Sequence, residues 1–244
     1  EKICKRHNLI LMIDNCESFL SKYEDKLSSE YGVFVTLSSF FSHHFSTIEG
    51  GYILTDDFDL YCNALSLRSH GWIREQPKNS KLLSKKYSEF EKSWKFVLPG
   101  YNVRPTEINA VIGLEQLKKI KSFLRARRLN GSFFYELFKN SPKYNLQKFD
   151  INSSFFAFAI ILNNNNKEEI LSKLHKLGIE TRPIVTGNII NNKMIENCNF
   201  RIYGNIINAE LVERNGFMIG NRSFLFTKRE KIALYELKKI LERF

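Results

Sequence analysis

The sequence predicts an α/β fold, a sheet layered with helices, and three observations carry that prediction. Leu9-Ile10-Leu11-Met12-Ile13 is an unbroken apolar run, the pattern of a strand covered on both faces in a parallel sheet. Strand-like runs at residues 33–37 and 52–55 alternate with helical periodicity. A third strand–turn–helix pattern begins at Phe155 in the second half of the chain.

In chain order, residues 1–7 read as the tail of a helix and residues 9–13 as the buried strand. Val33-Phe34-Val35-Thr36-Leu37 is a second strand and Tyr52-Ile53-Leu54-Thr55 a third. Asp56-Asp57 precedes an apolar-periodic stretch, so a helix is expected to start there and run toward Leu67. Residues 75–95 are polar and irregular, a surface excursion. Ile108, Val111, Ile112, Leu114, Leu117 and Ile120 keep helical spacing and predict one long amphipathic helix that bridges two domains. Residues 155–162 form a strand, the asparagine run 163–166 a turn, 167–177 a helix, and 178–185 a loop and strand. No internal repeat is present.

Composition bounds the function classes. A chain of 244 residues with 43% hydrophobic content buries a sizeable core in one large domain or two small ones. No run of about 18 apolar residues predicts a membrane span, and the first residues lack the apolar centre of a secretory signal. Four cysteines, Cys4, Cys16, Cys62 and Cys198, lie far apart, which argues against zinc knuckles and a disulfide framework and fits a reducing cytoplasm. The net charge of +11 favours anionic partners, but much of it sits in Lys118-Lys119-Ile120-Lys121 and Arg125-Ala126-Arg127-Arg128, expected to be solvated helix faces. No nucleic-acid recognition motif accompanies it.

The most informative residues are His43-His44, inside Leu37-Ser38-Ser39-Phe40-Phe41-Ser42-His43-His44-Phe45-Ser46-Thr47-Ile48-Glu49-Gly50-Gly51. Taken alone, two adjacent loop histidines are ordinary surface residues or two of the ligands a metal site needs, and no metal is inferred from them. The whole run, however, resembles the cofactor-lysine segment of the vitamin B6-dependent nucleotide-sugar aminotransferases of the DegT type. That family has a serine five residues before its reactive lysine, then Glu-Gly-Gly. Ser38, Glu49, Gly50 and Gly51 match, and His43, not His44, stands at the lysine position. Leu98-Pro99-Gly100-Tyr101-Asn102-Val103-Arg104-Pro105-Thr106-Glu107 matches a second family signature.

The resemblance implies the PLP-dependent transferase fold of aspartate aminotransferase type I. Residues 1–105 would be the C-terminal part of the large, mostly parallel-sheet domain, and residues 106–244 the bridging helix and small C-terminal α+β domain. The Gly/Ser-rich phosphate turn and ring-stacking aromatic of the family are not in the sequence, so the chain reads as the C-terminal portion of a longer protein or of a split gene. By the same resemblance Asp14 pairs with the ring nitrogen of the cofactor, and Glu17 lies near the ring hydroxyl. Ser38 donates to the phosphate, and Asn102 reaches the phosphate of a neighbouring subunit in a homodimer with shared sites. Arg182 and Asn188 lie toward the sugar nucleotide. Read without the family, Asp14 is a helix cap, Asn102 a turn residue and Arg182 a structural ion-pair member. Arg222 stands where a related motif often has histidine, which departs from the pattern.

Histidine in place of lysine redirects the expected chemistry, because imidazole moves protons near neutral pH but does not tether a carbonyl cofactor. A His-His subgroup resembles the GDP-4-keto-6-deoxymannose 3-dehydratases. The expected function is therefore removal of the 3-hydroxyl of a nucleotide-linked 4-keto-6-deoxy sugar in surface-polysaccharide synthesis, with pyridoxamine 5'-phosphate or pyridoxal 5'-phosphate as cofactor and glutamate as amino donor. Hexulose 3-dehydrases that need an iron–sulfur cluster carry clustered cysteines, and residues 68–74 and beyond have none. The alternatives are an aminotransferase of the same family and a truncated, non-catalytic dimerising remnant; neither nucleic acid nor membrane is an expected partner.

Overall fold

The computed structural model describes residues 1–83 and 86–244, so Ser84 and Lys85 of the expected 75–95 excursion lie outside the described residues. The chain divides into two compact units, Glu1–Ile120 and Lys121–Phe244.

The first unit opens with helix α1 (Lys2–Arg6) and strand β1 (Met12–Asp14), followed by a small hairpin of β2 (Lys22–Tyr23) and β3 (Lys26–Leu27). Strand β4 (Phe34–Ser38) runs parallel to β1 and antiparallel to β5 (Gly51–Leu54), giving the order β1-β4-β5. Alternation along β4 is clear: Val35 and Leu37 are buried, whereas Phe34, Thr36 and Ser38 face the other way and are half-buried. Helix α2 (Phe58–Leu67) starts where expected, with the Asp57 carboxylate accepting from the Leu60 amide at 2.9 Å.

Three expectations fail in this unit. The strand expected over residues 9–13 is shorter, and Leu9, Ile10 and Met12 are exposed, because β1 pairs only with β4 and no described layer covers that face. The excursion is not wholly irregular: Ser88 and Glu91 form a reciprocal capping box that starts helix α3 (Glu89–Trp94). The expected single helix is broken at Lys118-Lys119 into α4 (Glu107–Leu117) and α5 (Ile120–Phe138), with Ile108, Val111, Leu114 and Leu117 exposed along α4.

In the second unit, an antiparallel sheet of β6 (Tyr144–Leu146), β7 (Ala157–Leu162), β8 (Thr181–Arg182) and β9 (Gly216–Gly220) has the order β6-β7-β9-β8. Helices α5, α6 (Lys167–Lys176), α7 (Ile207–Asn215) and α8 (Lys228–Arg243) complete it. Phe134 and Phe138 of α5, Ile170 and Leu174 of α6, and Leu237 and Leu241 of α8 share one core with Phe158, Ile160 and Phe217 of the sheet. Each such side chain contributes about 1.5–3 kcal/mol by leaving water. The strand expected at 178–185 is reduced to the two residues of β8.

Arg127 corrects the reading of residues 125–128 as a solvated face. It is 2% exposed, and its Nη1 donates to the carbonyls of Phe155, Phe156 and Asn221 while Nε donates to Ser223 Oγ. Burial pulls its pKa down to about 10, which leaves it charged at neutral pH.

Candidate active site

The site is built at the carboxyl end of β1, where a parallel pair opens onto loops. Asp14 ends that strand. Its Oδ1 accepts the Cys16 amide at 3.1 Å, an Asx turn, so the segment beyond it is a turn and no helix is capped there. Asn15, 1% exposed, anchors the turn: its Oδ1 accepts from the Ser18 and Ser28 hydroxyls at 2.6 and 2.8 Å. Across the ladder Thr36 lies opposite Asp14, and its hydroxyl donates to the same Oδ1 at 3.3 Å.

The loop between β4 and β5 carries the two histidines. It is closed at its base by Ser39 and Thr47, whose hydroxyls are 2.6 Å apart, and by Asn109 of α4, which donates to the Thr47 and Glu49 carbonyls. His44 is buried, with its ring 6.3 Å from that of Phe19. His43 is half-buried, and its Nδ1 meets the Cys16 carbonyl at 2.9 Å. A carbonyl only accepts, so Nδ1 carries the hydrogen and the neutral ring has its lone pair on Nε2.

Cys16 thus touches both active groups, through its amide to Asp14 and its carbonyl to His43. Hydrogen bonds from the Cys16 thiol and then its amide hold the Asp14 carboxyl below its ordinary range, with the Thr36 hydroxyl and the charge of His43 acting in the same direction. Burial, above all, pushes the Cys16 thiol up and keeps it neutral. Ser38 ends β4, with its oxygen accepting the Phe40 amide at 3.2 Å, which leaves the hydroxyl hydrogen for a ligand. Glu17 is exposed on the Asp14 turn.

Asn102 lies elsewhere in the first unit. It bridges to Ser69, and the segment around it is tied to the end of α2 by Tyr101 N–H to Leu67 O at 2.6 Å and Val103 N–H to Arg68 O at 3.0 Å. Gly71 and Gly100 permit that crossing: a Cβ on Gly71 would stand 1.8 Å from the Leu98 oxygen. Asn102 lines an open cavity of about 480 Å³ with Arg68, Glu75, Arg104 and Glu107.

Arg182 and Asn188 belong to the second unit. Arg182 is exposed on β8, opposite Met218 of β9. Asn188 is 4% exposed; its Oδ1 accepts the Ile190 amide, while its buried Nδ2 has no hydrogen-bond partner among the described residues. Arg222 pairs with Glu230 at 3.0 Å.

Cys16 and Thr36 were not singled out from the sequence. The alternation of Val35 and Leu37 with Thr36 and Ser38 was the available signal for Thr36, since it puts Thr36 on the face that carries Ser38.

Comparison with known proteins gives the lineage. The sequence profile of the DegT/DnrJ/EryC1/StrS aminotransferase family matches residues 1–227. The chain belongs to this family. It is 42% identical over 243 residues to the GDP-4-keto-6-deoxy-D-mannose 3-dehydratase of Yersinia pseudotuberculosis, covering 98% of this chain and 62% of that protein. The Escherichia coli O55:H7 enzyme of the same name is 41% identical over 225 residues, covering 90% of this chain and 58% of that protein. The solved structure of an E. coli GDP-4-keto-6-deoxy-D-mannose 3-dehydratase with bound hydrated PLP superposes with a TM-score of 0.89 at 38% identity, covering 98% of this chain and 62% of that one. The fold is that of the PLP-dependent DegT enzymes, as the resemblance implied. The chain spans about 60% of the length of these curated relatives. Among the described residues, no helix is long and apolar enough to cross a membrane.

Proposed function

We propose that this chain serves in the 3-dehydration of a nucleotide-linked 4-keto-6-deoxy sugar, with pyridoxamine phosphate as cofactor, glutamate as amino donor and His43 as the base. The observation that carries the reading is the His43 imidazole held by Cys16 beside an ionised Asp14, in a chain with no lysine between Lys26 and Lys78. The two relatives above 40% identity bear the name of a GDP-sugar 3-dehydratase, which favours a guanine nucleotide.

The donor set fits the cofactor: an ionised carboxylate for a ring N–H, a serine hydroxyl with a free hydrogen for phosphate, and an imidazole in place of an amine that would bond covalently. When bound, pyridoxamine phosphate supplies an amine that takes up the sugar ketone and a ring that accepts electron density. Asp14 keeps the ring nitrogen protonated, because an anion beside it favours the cationic form. Ser38 binds phosphate, and Glu17 stands near the ring hydroxyl. His43 accepts a proton at Nε2 and delivers it to the departing oxygen at carbon 3, the Cys16 carbonyl holding Nδ1–H throughout. Arg182 and Asn188, whose amide nitrogen has no partner among the described residues, are assigned to the sugar nucleotide.

A homodimer is part of this reading. The exposed apolar stripe Ile108, Val111, Leu114 and Leu117 of α4 needs cover, and Asn102 precedes that helix beside Arg68 and Arg104, where a phosphate from a partner copy would find donors. A cytoplasmic location fits the cysteines, which are all free.

The test supplies pyridoxamine phosphate and a GDP-linked 4-keto-6-deoxymannose and follows the 3-deoxy product. Replacing His43 by Asn is expected to lower turnover about 10²–10⁴-fold while leaving cofactor affinity within a few-fold. Equal turnover by the variant would remove His43 from the mechanism.

A further inference from the structure

We propose that Thr36 is a positioning residue for Asp14, its hydroxyl committing one carboxylate oxygen to the protein so that the other is presented to the cofactor ring nitrogen. Its catalytic consequence rests on the function proposed above; its geometry rests on the strand register alone.

Thr36 and Asp14 are opposite one another in the parallel β1–β4 ladder, so their side chains emerge side by side. The Thr36 hydroxyl donates to Asp14 Oδ1 at 3.3 Å, and the Cys16 amide donates to that same oxygen at 3.1 Å. The Cys16 thiol lies 3.8 Å from Thr36 Oγ1, so thiol, hydroxyl and carboxylate are grouped together. An ionised carboxylate only accepts, so at this contact the Thr36 hydroxyl directs its hydrogen to Asp14. Thr36 is suited to this by stiffness: its branched Cβ restricts χ1, and Val35 and Leu37 on either side are anchored in the core. Two donors on Oδ1 fix the carboxylate plane and make Oδ2 the oxygen available to a ring N–H. Among the described residues, the titratable groups acting on Asp14 are Cys16 and His43, both held by contacts that do not depend on Thr36 Oγ1 alone.

The experiment compares wild type with Thr36→Val, which keeps the shape and loses the donor, and Thr36→Ser, which keeps the donor. The first readout needs no cofactor: a carbon-detected pH titration of the Asp14 carboxyl in the 244-residue chain, its signal assigned with Asp14→Asn. The second is the affinity for pyridoxamine phosphate. Valine is expected to raise the Asp14 midpoint and to weaken cofactor binding about tenfold, the scale of one hydrogen bond to a charged group. Serine is expected to restore both. A valine variant whose Asp14 titration superposes on wild type overturns the proposal, as does a shift that serine fails to reverse, since packing would then be its cause. If no variant, wild type included, binds pyridoxamine phosphate, the proposed function falls, and the carboxyl titration still decides the role of Thr36.

Discussion

Cys16 shows how much a single residue organises at this site. Its amide and carbonyl fix the carboxylate and the imidazole from adjacent points of one main chain, so their spacing is set by covalent geometry more than by side-chain freedom. Because the folded state holds the Asp14 carboxyl below its ordinary value of 3.8, it binds that proton more weakly than the unfolded chain does. The resulting stability is complete above the unfolded value and is lost as pH falls through the folded one. Urea midpoints for wild type and Asp14→Asn should therefore differ most above the ordinary carboxyl value of 3.8 and converge as the pH falls well below it. Ile48 carries a local cost of a different kind. It is a β-branched residue at φ +73° and is 51% exposed, so it has strain and little burial to offset it. Ile48→Asn is expected to stabilise the chain by about 1 kcal/mol, read from the denaturation midpoint. His43 and Asp14 were legible as candidates because a motif carries them. Thr36 and Cys16 were not: Thr36 matters through a ladder register that pairs residues 22 positions apart, and Cys16 through main-chain contacts, one of them to a residue 27 positions away.

At the scale of elements, boundaries followed local chemistry where a cap announced them and failed where burial decided. Asp57 was readable as the start of α2. The continuous apolar run before Asp14 suggested a covered strand, yet apolarity reports a preference for burial, and only the neighbouring layers determine whether it is met. Arg127 is the converse: a charged residue in a basic run is buried because three main-chain carbonyls converge on its fork and tie α5 to the strands around it. Replacing Arg127 by Met would remove the guanidinium from all three carbonyls, of which those of Phe155 and Phe156 keep a donor from Asn221. The second unit is expected to lose about 3 kcal/mol, measurable by chemical denaturation, and Arg127→Lys is expected to recover only part because an ammonium cannot span the same acceptors.

At the scale of the whole molecule, the class of fold was readable from the alternation of strands and helices, and membership in the family from two motifs. The breadth of uncovered apolar surface was not readable, since spacing gives the apolar face of a helix without its partner. If a second copy covers α4, sedimentation should give a dimer, and Val111→Glu should shift it toward monomer by burying a charge at the interface. The central claim, that His43 moves protons at a site that does not tether its cofactor, is tested most directly by borohydride reduction of the chain in pyridoxal phosphate, followed by intact-mass and peptide analysis. The account predicts that peptide analysis finds no reduced cofactor attached within residues 9–55, which carry Asp14 and His43. A reduced cofactor attached to a lysine of the site would contradict it.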